Sequence, residues 1–428
     1  MFDAKNALSR ELQAILDQIV NPQWGLISRL EAKTYFPLGL SVVHTALSSP
    51  AYFRSNIASL GPAADSGTGA GFSIEQAHWS AIGEAIERYC ASIYSRHLLP
   101  MQTATGIGDA IDLTPLIRAG PPSILPFEPA LARRWVRAVR LRDGAPCYVP
   151  AQMAYLAYEP EGAHDILCQS DSTGLAAGQS WEDACLRALC ERLERDAFAA
   201  NWLLARQPPL ICLTTKDLQR LSPGTARALG GNAGFFIRLF HLASIFGVHV
   251  IMACLTTSDG VGLVAAAASP DLMIAMEKAT VECLQGSVAA RRLFDRPRPA
   301  TIADLKSTID HALYYLDPKR FQHVSKICAG NDQLCVAHIE AGYEKPAKLA
   351  EIVKAAALEG FGPVAVDLTT QDVQAIGFHV VRVIVPGLQP LIFGQACMDV
   401  SDPRRLAQWQ GIWQLPTARF NPHPHPFP

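Results

Sequence analysis

Residues 70–88 recur in altered form at 177–195, a constant 107 residues further along the chain. Nine of nineteen positions are identical: Ala70/Ala177, Gly71/Gly178, Ser73/Ser180, Glu75/Glu182, Ala77/Ala184, Ala81/Ala188, Glu84/Glu191, Glu87/Glu194 and Arg88/Arg195. A fainter third copy keeps Ala275, Ala279, Glu282 and Gln285. The chain is therefore expected to build one kind of helix more than once. The identical positions are mostly not those of a core. A shared amphipathic pattern would repeat apolar residues, whereas here the carboxylates repeat as well.

At about 3.6 residues per turn, Ser80, Glu84, Glu87 and Arg88 fall within about 100° of one helix face. Asp183, Glu191, Glu194 and Arg195 fall within about 120° on the second helix. Lys278, Glu282 and Gln285 share a third face. The opposite sides carry Ile82, Ile86 and Tyr89, then Leu186, Leu189 and Leu193. One such helix reads as an amphipathic helix with a solvated polar side. Three that keep the same acidic spacing ask for more. Converging carboxylates cannot all stay ionised without cations. Hard, oxygen-preferring Mg²⁺ is the natural neutraliser and commonly brings substrate phosphates with it. Interspersed Arg and Lys suit the same phosphates. The repeat thus points to a Mg-nucleotide site that lacks the Gly-x-x-x-x-Gly-Lys-Ser/Thr loop and any dinucleotide fingerprint.

Composition narrows the class. The 428 residues are 49% hydrophobic and 18% charged, ample for a packed core, with a formal net charge of −2. No basic excess marks a nucleic-acid partner. The first residues have no signal-peptide core, and no run approaches the ~18–20 apolar residues of a membrane helix, so a cytoplasmic chain without membrane contact is expected. The 11 cysteines show no Cys-x-x-Cys and no tight Cys/His cluster. They read as small buried residues rather than zinc ligands.

Along the chain, residues 6–20 predict an amphipathic helix, and 26–27 and 38–46 predict strands. Residues 60–71 read as a Gly-rich lead-in to the first repeat helix, about 74–96. The stretch 105–135 reads as loop, with Pro115, Pro121, Pro122, Pro126 and Pro129. Strands follow at 136–142 and 147–153 around Asp143-Gly144. A second Gly/Ala lead-in, 174–178, precedes the second repeat helix, about 180–204. Residues 248–256 and 261–268 predict a hairpin around Asp259-Gly260, followed by the third helix, about 271–293. Residues 300–316 and 344–358 read as helices, and 364–368 and 380–385 as strands. Hairpins and helices without strict strand–helix alternation predict an α+β fold. The tail, Asn421-Pro-His-Pro-His-Pro-Phe-Pro428, favours extended polyproline structure.

The chain resembles the YcaO-domain family. The first helix matches that family's Ser-x-x-x-Glu-x-x-Glu-Arg motif with Ser80, Glu84, Glu87 and Arg88; the second matches Glu-x-x-Glu-Arg with Glu191, Glu194 and Arg195. Thr173-Gly-Leu-Ala-Ala-Gly-Gln-Ser180, Asp367-Leu-Thr369 and Val381-Arg-Val-Ile-Val-Pro-Gly-Leu388 are also typical. The resemblance runs from about residue 20 to the end. It implies a YcaO-type fold with mixed and antiparallel sheets, forming one catalytic domain with subdomains over residues 1–428. It also implies ATP and Mg²⁺ as cofactors. Glu84, Glu87, Glu191, Glu194 and Glu282 would be metal ligands, and Ser80, Glu84, Gln179, Asp183, Glu191, Arg195 and Lys278 nucleotide contacts. Gln179 stands where the family commonly has Asn, Asp183 where it has Glu, and Lys278 in place of an Arg. Lys5 and Ser9 are candidates for a further N-terminal nucleotide contact.

The tail bears on the chemistry. Peptide cyclodehydratases of the family often end in Pro-x-Pro-x-Pro, matched by Pro424, Pro426 and Pro428. The resemblance implies that residues 420–428 reach the active site, where the terminal carboxylate assists proton transfer and these prolines count as catalytic. His423 and His425 are of a type that titrates near neutrality. The implied activity is ATP-dependent closure of Cys, Ser or Thr in a ribosomally made precursor peptide to thiazoline or oxazoline. Alternatives are thioamide or amidine formation, or a non-catalytic scaffold subunit. No protein cysteine is needed as a nucleophile; Cys185, Cys190 and Cys283 read as packing residues. The chain begins almost directly with the YcaO region. That implies a separate ThiF-like leader-peptide-binding subunit, a flavin-dependent azoline dehydrogenase as further partner, and an oligomer or multi-subunit complex.

Overall fold

A computed structural model describes residues 8–35, 39–47, 66–113, 127–231, 234–258, 260–293, 295–343, 345–394, 397–400, 402–415 and 420–427. Lys5, Leu38, Asp259, Pro428 and the prolines at 115, 121, 122 and 126 lie outside the described residues. The chain divides into two compact units. The first comprises Met1–Ile111, Phe127–Leu189 and Pro363–Ile384; the second comprises Asp112–Pro126, Cys190–Gly362 and Val385–Pro428. The α+β expectation is met in both.

In the first unit, β1 (Ile27–Tyr35), β2 (Leu40–Leu47) and β3 (Ser66–Gly71) form an antiparallel sheet. A second antiparallel sheet orders β4 (Met101–Gln102), β5 (Arg133–Arg140), β13 (Val364–Asp367), β14 (His379–Ile384) and β7 (Leu175–Gly178). β6 (Pro146–Pro150) pairs with β5. In the second unit the order is β11 (Gly262–Ser269), β10 (Val248–Thr257), β9 (Phe235–Ile245), β8 (Leu210–Cys212) and β12 (Gln333–Cys335). Only β8 and β12 of that sheet run parallel.

The three repeat helices are Ile74–Ser92, Trp181–Leu203 and Leu272–Leu293. Each follows a strand: β3, β7 or β11. Within the two stretches read as Gly-rich lead-ins, Ser66–Gly71 and Leu175–Gly178 are strands. Their glycines permit a strand to lie directly on its helix. A Cβ at Gly69 would sit 2.2 Å from Ala81 N and 2.4 Å from Ala77 O; one at Gly178 would sit 2.5 Å from Ala184 N. Ala77, Ala81, Ala184, Ala188, Ala275 and Ala279 are all fully buried for the same reason. Each helix is capped at one aligned position. Ser73 Oγ accepts from Gln76 N at 3.1 Å, Ser180 Oγ from Asp183 N at 3.1 Å, and Asp271 Oδ1 from Met273 N at 2.8 Å. Such a cap stabilises by about 1 kcal/mol. Glu75 and Glu182 lie in first turns, where the helix dipole favours an acid.

The nine identical positions therefore separate. Ala70, Gly71, Ser73, Glu75, Ala77 and Ala81, with their partners, serve packing, capping or the dipole. Four of the nine pairs are buried, more than the sequence pattern suggests. The fold does not account for Glu84/Glu191, Glu87/Glu194 and Arg88/Arg195.

Other boundaries shift for local reasons. The predicted helix at 300–316 is cut in two, because Thr301/Asp304 and Ser307/Asp310 each form a capping box. Only Thr308–Tyr315 is α-helical there. The predicted strand at 147–153 ends at Pro150 and gives way to one helical turn, Ala151–Ala154. The predicted helix at 344–358 starts at Leu349. β9, eleven residues at the middle of its sheet, and the helix Pro403–Ile412 were not foreseen. Asp196, fully buried, ties that helix down: it accepts from Arg405 Nε at 3.1 Å, Trp409 Nε1 at 3.0 Å and Gln389 N at 2.7 Å. Eight of the eleven cysteines are buried, as expected, but Cys335 is exposed.

Candidate functional site

On the first repeat helix, Glu84 and Glu87 are fixed by strand amides. Glu84 Oε2 accepts from Thr68 N at 2.6 Å and from Thr68 Oγ1 at 3.3 Å, while its Oε1 pairs with Arg88. Glu87 Oε1 accepts from Ala177 N at 2.7 Å. The donors come from β3 and β7, so the strands that pack the helices also aim their carboxylates. Ser80 and Gln179 are exposed, and Asp183 pairs with Arg187 one turn on at 2.9 Å.

From Cys190 onward, the second and third helices gather a charged group. Arg195 lies 3.4 Å from Glu191 and 3.5 Å from Glu194. Glu194 is only 6% exposed. Burial pushes its carboxyl well above the usual range; Arg195 and Lys278 pull it down, while Glu282 and Glu191 push it further up. Lys278 and Glu282 themselves are exposed. Two further carboxylates and two cations thus act on one desolvated acid. This donor set is all oxygen and carries unneutralised negative charge, which suits a hard divalent cation. Among the described residues, no three His, Cys, Asp or Glu side chains form a ready-made metal cage. Mg²⁺ does not require one: it keeps several waters and commonly takes one or two carboxylates plus substrate phosphates.

The tail is held against this same helix. Asn421 N donates to Leu203 O at 2.9 Å and Trp202 Nε1 to His423 O at 2.8 Å. Tyr315 Oη donates to Pro424 O, and His311 Nδ1 to His425 O at 2.8 Å. The His311 and His425 rings stack at 4.2 Å, and those of His323 and His423 at 3.4 Å. Pro424 and Pro426 are buried. His425 is 1% exposed, and burial holds its pKa well below the ordinary value. Burial also lowers His423. Both imidazoles are thus held toward the neutral form.

Other assignments resolve plainly. Ser9 caps the helix Arg10–Ile19, its Oγ accepting from Leu12 N at 3.3 Å. Cys185 is pushed up to about 12 by burial, and Cys283 is also raised by burial. These thiols are packing groups. Sequence reasoning missed Thr68 and the Ala177 amide, whose role is carried by backbone that no motif encodes. It also missed Phe427, whose ring meets Phe198 edge-on at 4.7 Å and lies 4.1 Å from the Arg195 guanidinium carbon.

A family profile described as YcaO cyclodehydratase, ATP- and Mg²⁺-binding, matches residues 68–389. The chain belongs to the YcaO family. The carboxylate motifs fall inside the matched range, and ATP and Mg²⁺ are the cofactors of the family. An uncharacterized protein of Methanothermobacter thermautotrophicus is 30% identical over 210 residues, 48% of this chain and 48% of that protein. Among solved structures, a heterocyclase in complex with substrate and cofactor superposes with a TM-score of 0.76 at 20% identity. It covers 98% of this YcaO chain and 57% of its own. YcaO from Methanopyrus kandleri, bound with AMPPCP and Mg²⁺, has a TM-score of 0.62 at 21% identity and covers 93% and 91%. A chain of the E. coli microcin synthetase McbBCD complex has a TM-score of 0.59 at 14% identity and covers 86% and 90%. These likenesses establish the fold. The chain spans about half the length of the curated relative it matches, and 57% of the heterocyclase chain. Among the described residues, no helix is long and apolar enough to cross a membrane.

Proposed function

We propose that this YcaO protein is an ATP- and Mg²⁺-dependent cyclodehydratase that converts Cys, Ser or Thr of a ribosomally made precursor peptide to thiazoline or oxazoline. The observation that carries the reading is the set of charged groups, Glu191, Glu282, Arg195 and Lys278, that act on the buried carboxyl of Glu194. In the reaction, the thiol or hydroxyl adds to the preceding backbone carbonyl and leaves an oxyanion. Mg-ATP, when bound, supplies the γ-phosphoryl group that turns this oxygen into departing phosphate as the ring closes.

The chain's own work is positioning and charge neutralisation. Glu191, Glu194 and Glu282 would hold the metal, and Arg195 and Lys278 the phosphates. Glu84 and Glu87, fixed by the Thr68 and Ala177 amides, carry the same motif and the same assignment. Ser80, Gln179 and Asp183 keep their assignment as nucleotide contacts. Pro424, Pro426 and Pro428 belong to the tail, whose terminal carboxylate would assist proton transfer. No protein thiol takes part. The expected partners are a ThiF-like leader-binding subunit and a flavin-dependent azoline dehydrogenase, within a multi-subunit assembly in the cytoplasm. The McbBCD likeness, a complex by name, supports that expectation.

The test combines the protein with Mg-ATP, a leader-binding partner and a Cys/Ser/Thr-bearing precursor. Loss of one water mass per ring, with ATP consumed, is the expected result. Modification without water loss would favour thioamide or amidine chemistry. Full assembly with no turnover, unchanged by Glu194→Gln, would favour a scaffold.

A further inference from the structure

Arg195 sits between two glutamates and has to present a flat guanidinium in one direction. Its contacts with them are 3.4 Å to Glu191 and 3.5 Å to Glu194. The ring of Phe427 bears directly on that plane. Its centroid lies 4.1 Å from the guanidinium carbon, within stacking range of a cation over an aromatic face. The ring is itself held, because Phe198 meets it edge-on at 4.7 Å and an interplanar angle of 72°. Phe198 and Arg195 are three residues apart on one helix and so share a face. Phe427 lies across both. It is 4% exposed and delivered by a segment anchored at Asn421, His423, Pro424 and His425.

We infer that Phe427 is a positioning residue: it sets the plane of Arg195, and the docked tail thereby tunes the affinity of the site for Mg-nucleotide. The inference rests on the reading of Arg195 as a phosphate contact. A plain hydrophobic plug would stabilise the tail without acting through Arg195.

The experiment is a double-mutant cycle on the full chain, with Phe427→Leu, Arg195→Gln and their combination, titrated calorimetrically with Mg-AMPPCP. A desolvated cation–aromatic contact corresponds to a loss of about 5–30-fold in affinity. Phe427→Leu is expected to raise Kd by that factor, Phe427→Trp to restore it within about threefold, and Phe427→Leu to have no further effect once Arg195 is Gln. A ring-current upfield shift of the Arg195 Nε–H resonance, present in the wild type and absent in Phe427→Leu, reads the contact without nucleotide. Equal losses in both Arg195 backgrounds, or an unchanged Kd in Phe427→Leu, would overturn the inference and leave the functional reading intact. Wild-type protein that binds no Mg-AMPPCP, or Arg195→Gln that binds it normally, would remove both.

Discussion

Replacing Glu194 with Gln should make the metal-free protein more stable and the nucleotide-loaded protein less stable. Glu194 is a nearly inaccessible acid whose carboxyl is raised well above its usual range, first by burial and then by Glu282 and Glu191. At neutral pH without a cation, ionising it is unfavourable. An isosteric amide removes that cost. Relief of this kind of active-site strain commonly amounts to about 0.5–2 kcal/mol, or roughly 1–8 °C in melting temperature for a unit of 150–250 residues. The sign follows from linkage. A raised native pKa gives stability that is fully present below the unfolded value of about 4.3. That stability is lost as pH rises through the raised native value. The wild type should therefore match the variant near pH 4 and fall behind as pH climbs toward neutrality. Mg-nucleotide at about 100 times its Kd adds about 2.7 kcal/mol to whatever binds it. The wild type gains this increment and Glu194→Gln loses most of it, so the ranking inverts. Differential scanning fluorimetry in chelator and in Mg-AMPPCP, across pH, measures both halves. A variant that melts below the wild type in chelator at neutral pH would refute the strain argument, and one that gains the full ligand increment would refute the metal assignment.

The tail should loosen on acidification. His311 donates through Nδ1 and accepts from Gly394 N at its Nε2 at 3.0 Å, so it is held neutral. His425 stacks on it with Arg195 near, and His323 stacks on His423 beside Lys326; the hydrogen bond to His425 O and Asp310 favour charge at His311 but do not offset its burial. All four native pKa values are depressed, mainly by burial, so their stabilising contribution is full above about 6.5 and is lost as pH falls through the native values. Trp202 fluorescence, reporting on its bond to His423 O, should change as pH falls through the native values, and a signal that stays unchanged until the whole chain unfolds in acid would count against the clasp. Separately, Gly69→Ala should cost several kcal/mol, on the order of 2–4, through overpacking against helix backbone. Chemical denaturation should show it, and a loss under 0.5 kcal/mol would mean that β3 and its helix separate easily.

The acidic motif was legible in sequence because it recurs at one offset, and spacing alone placed Glu84, Glu87, Glu191 and Glu194 on common faces. The surrounding scaffold was less legible. Gly67, Gly69, Gly71 and Gly178 read only as parts of Gly-rich lead-ins, because glycine usually marks turns rather than strands. Here it marks strands pressed onto helix backbone, where no side chain fits. β9 (Phe-Phe-Ile-Arg-Leu-Phe-His-Leu-Ala-Ser-Ile) escaped notice because a strand that buries residues on both faces loses the alternation that identifies strands. The break before Thr308 rests on capping side chains competing with helix continuation. The Thr68 and Ala177 amides leave no trace in residue type at all.

The third strand–helix unit shows why the repeat carries two separable messages. Aligned 198 residues beyond the first, it keeps buried Ala268, Ala275 and Ala279 and an N-cap at Asp271. These are the positions that let a strand lie flat on a helix, and packing enforces them regardless of chemistry. The other positions diverge. Glu282 retains the first carboxylate, Gln285 replaces the second, Gly286 replaces the arginine, and Lys278 stands where the first copy has Ser80. A third helix as acidic as the second would concentrate more negative charge than one buried carboxyl can tolerate. Putting a lysine and an amide on the third copy lowers that charge where Glu194 is desolvated, and Lys278 is one of the two cations pulling its carboxyl down. The packing rules thus fix where the helices lie, and the divergence among copies sets how much negative charge the buried Glu194 faces.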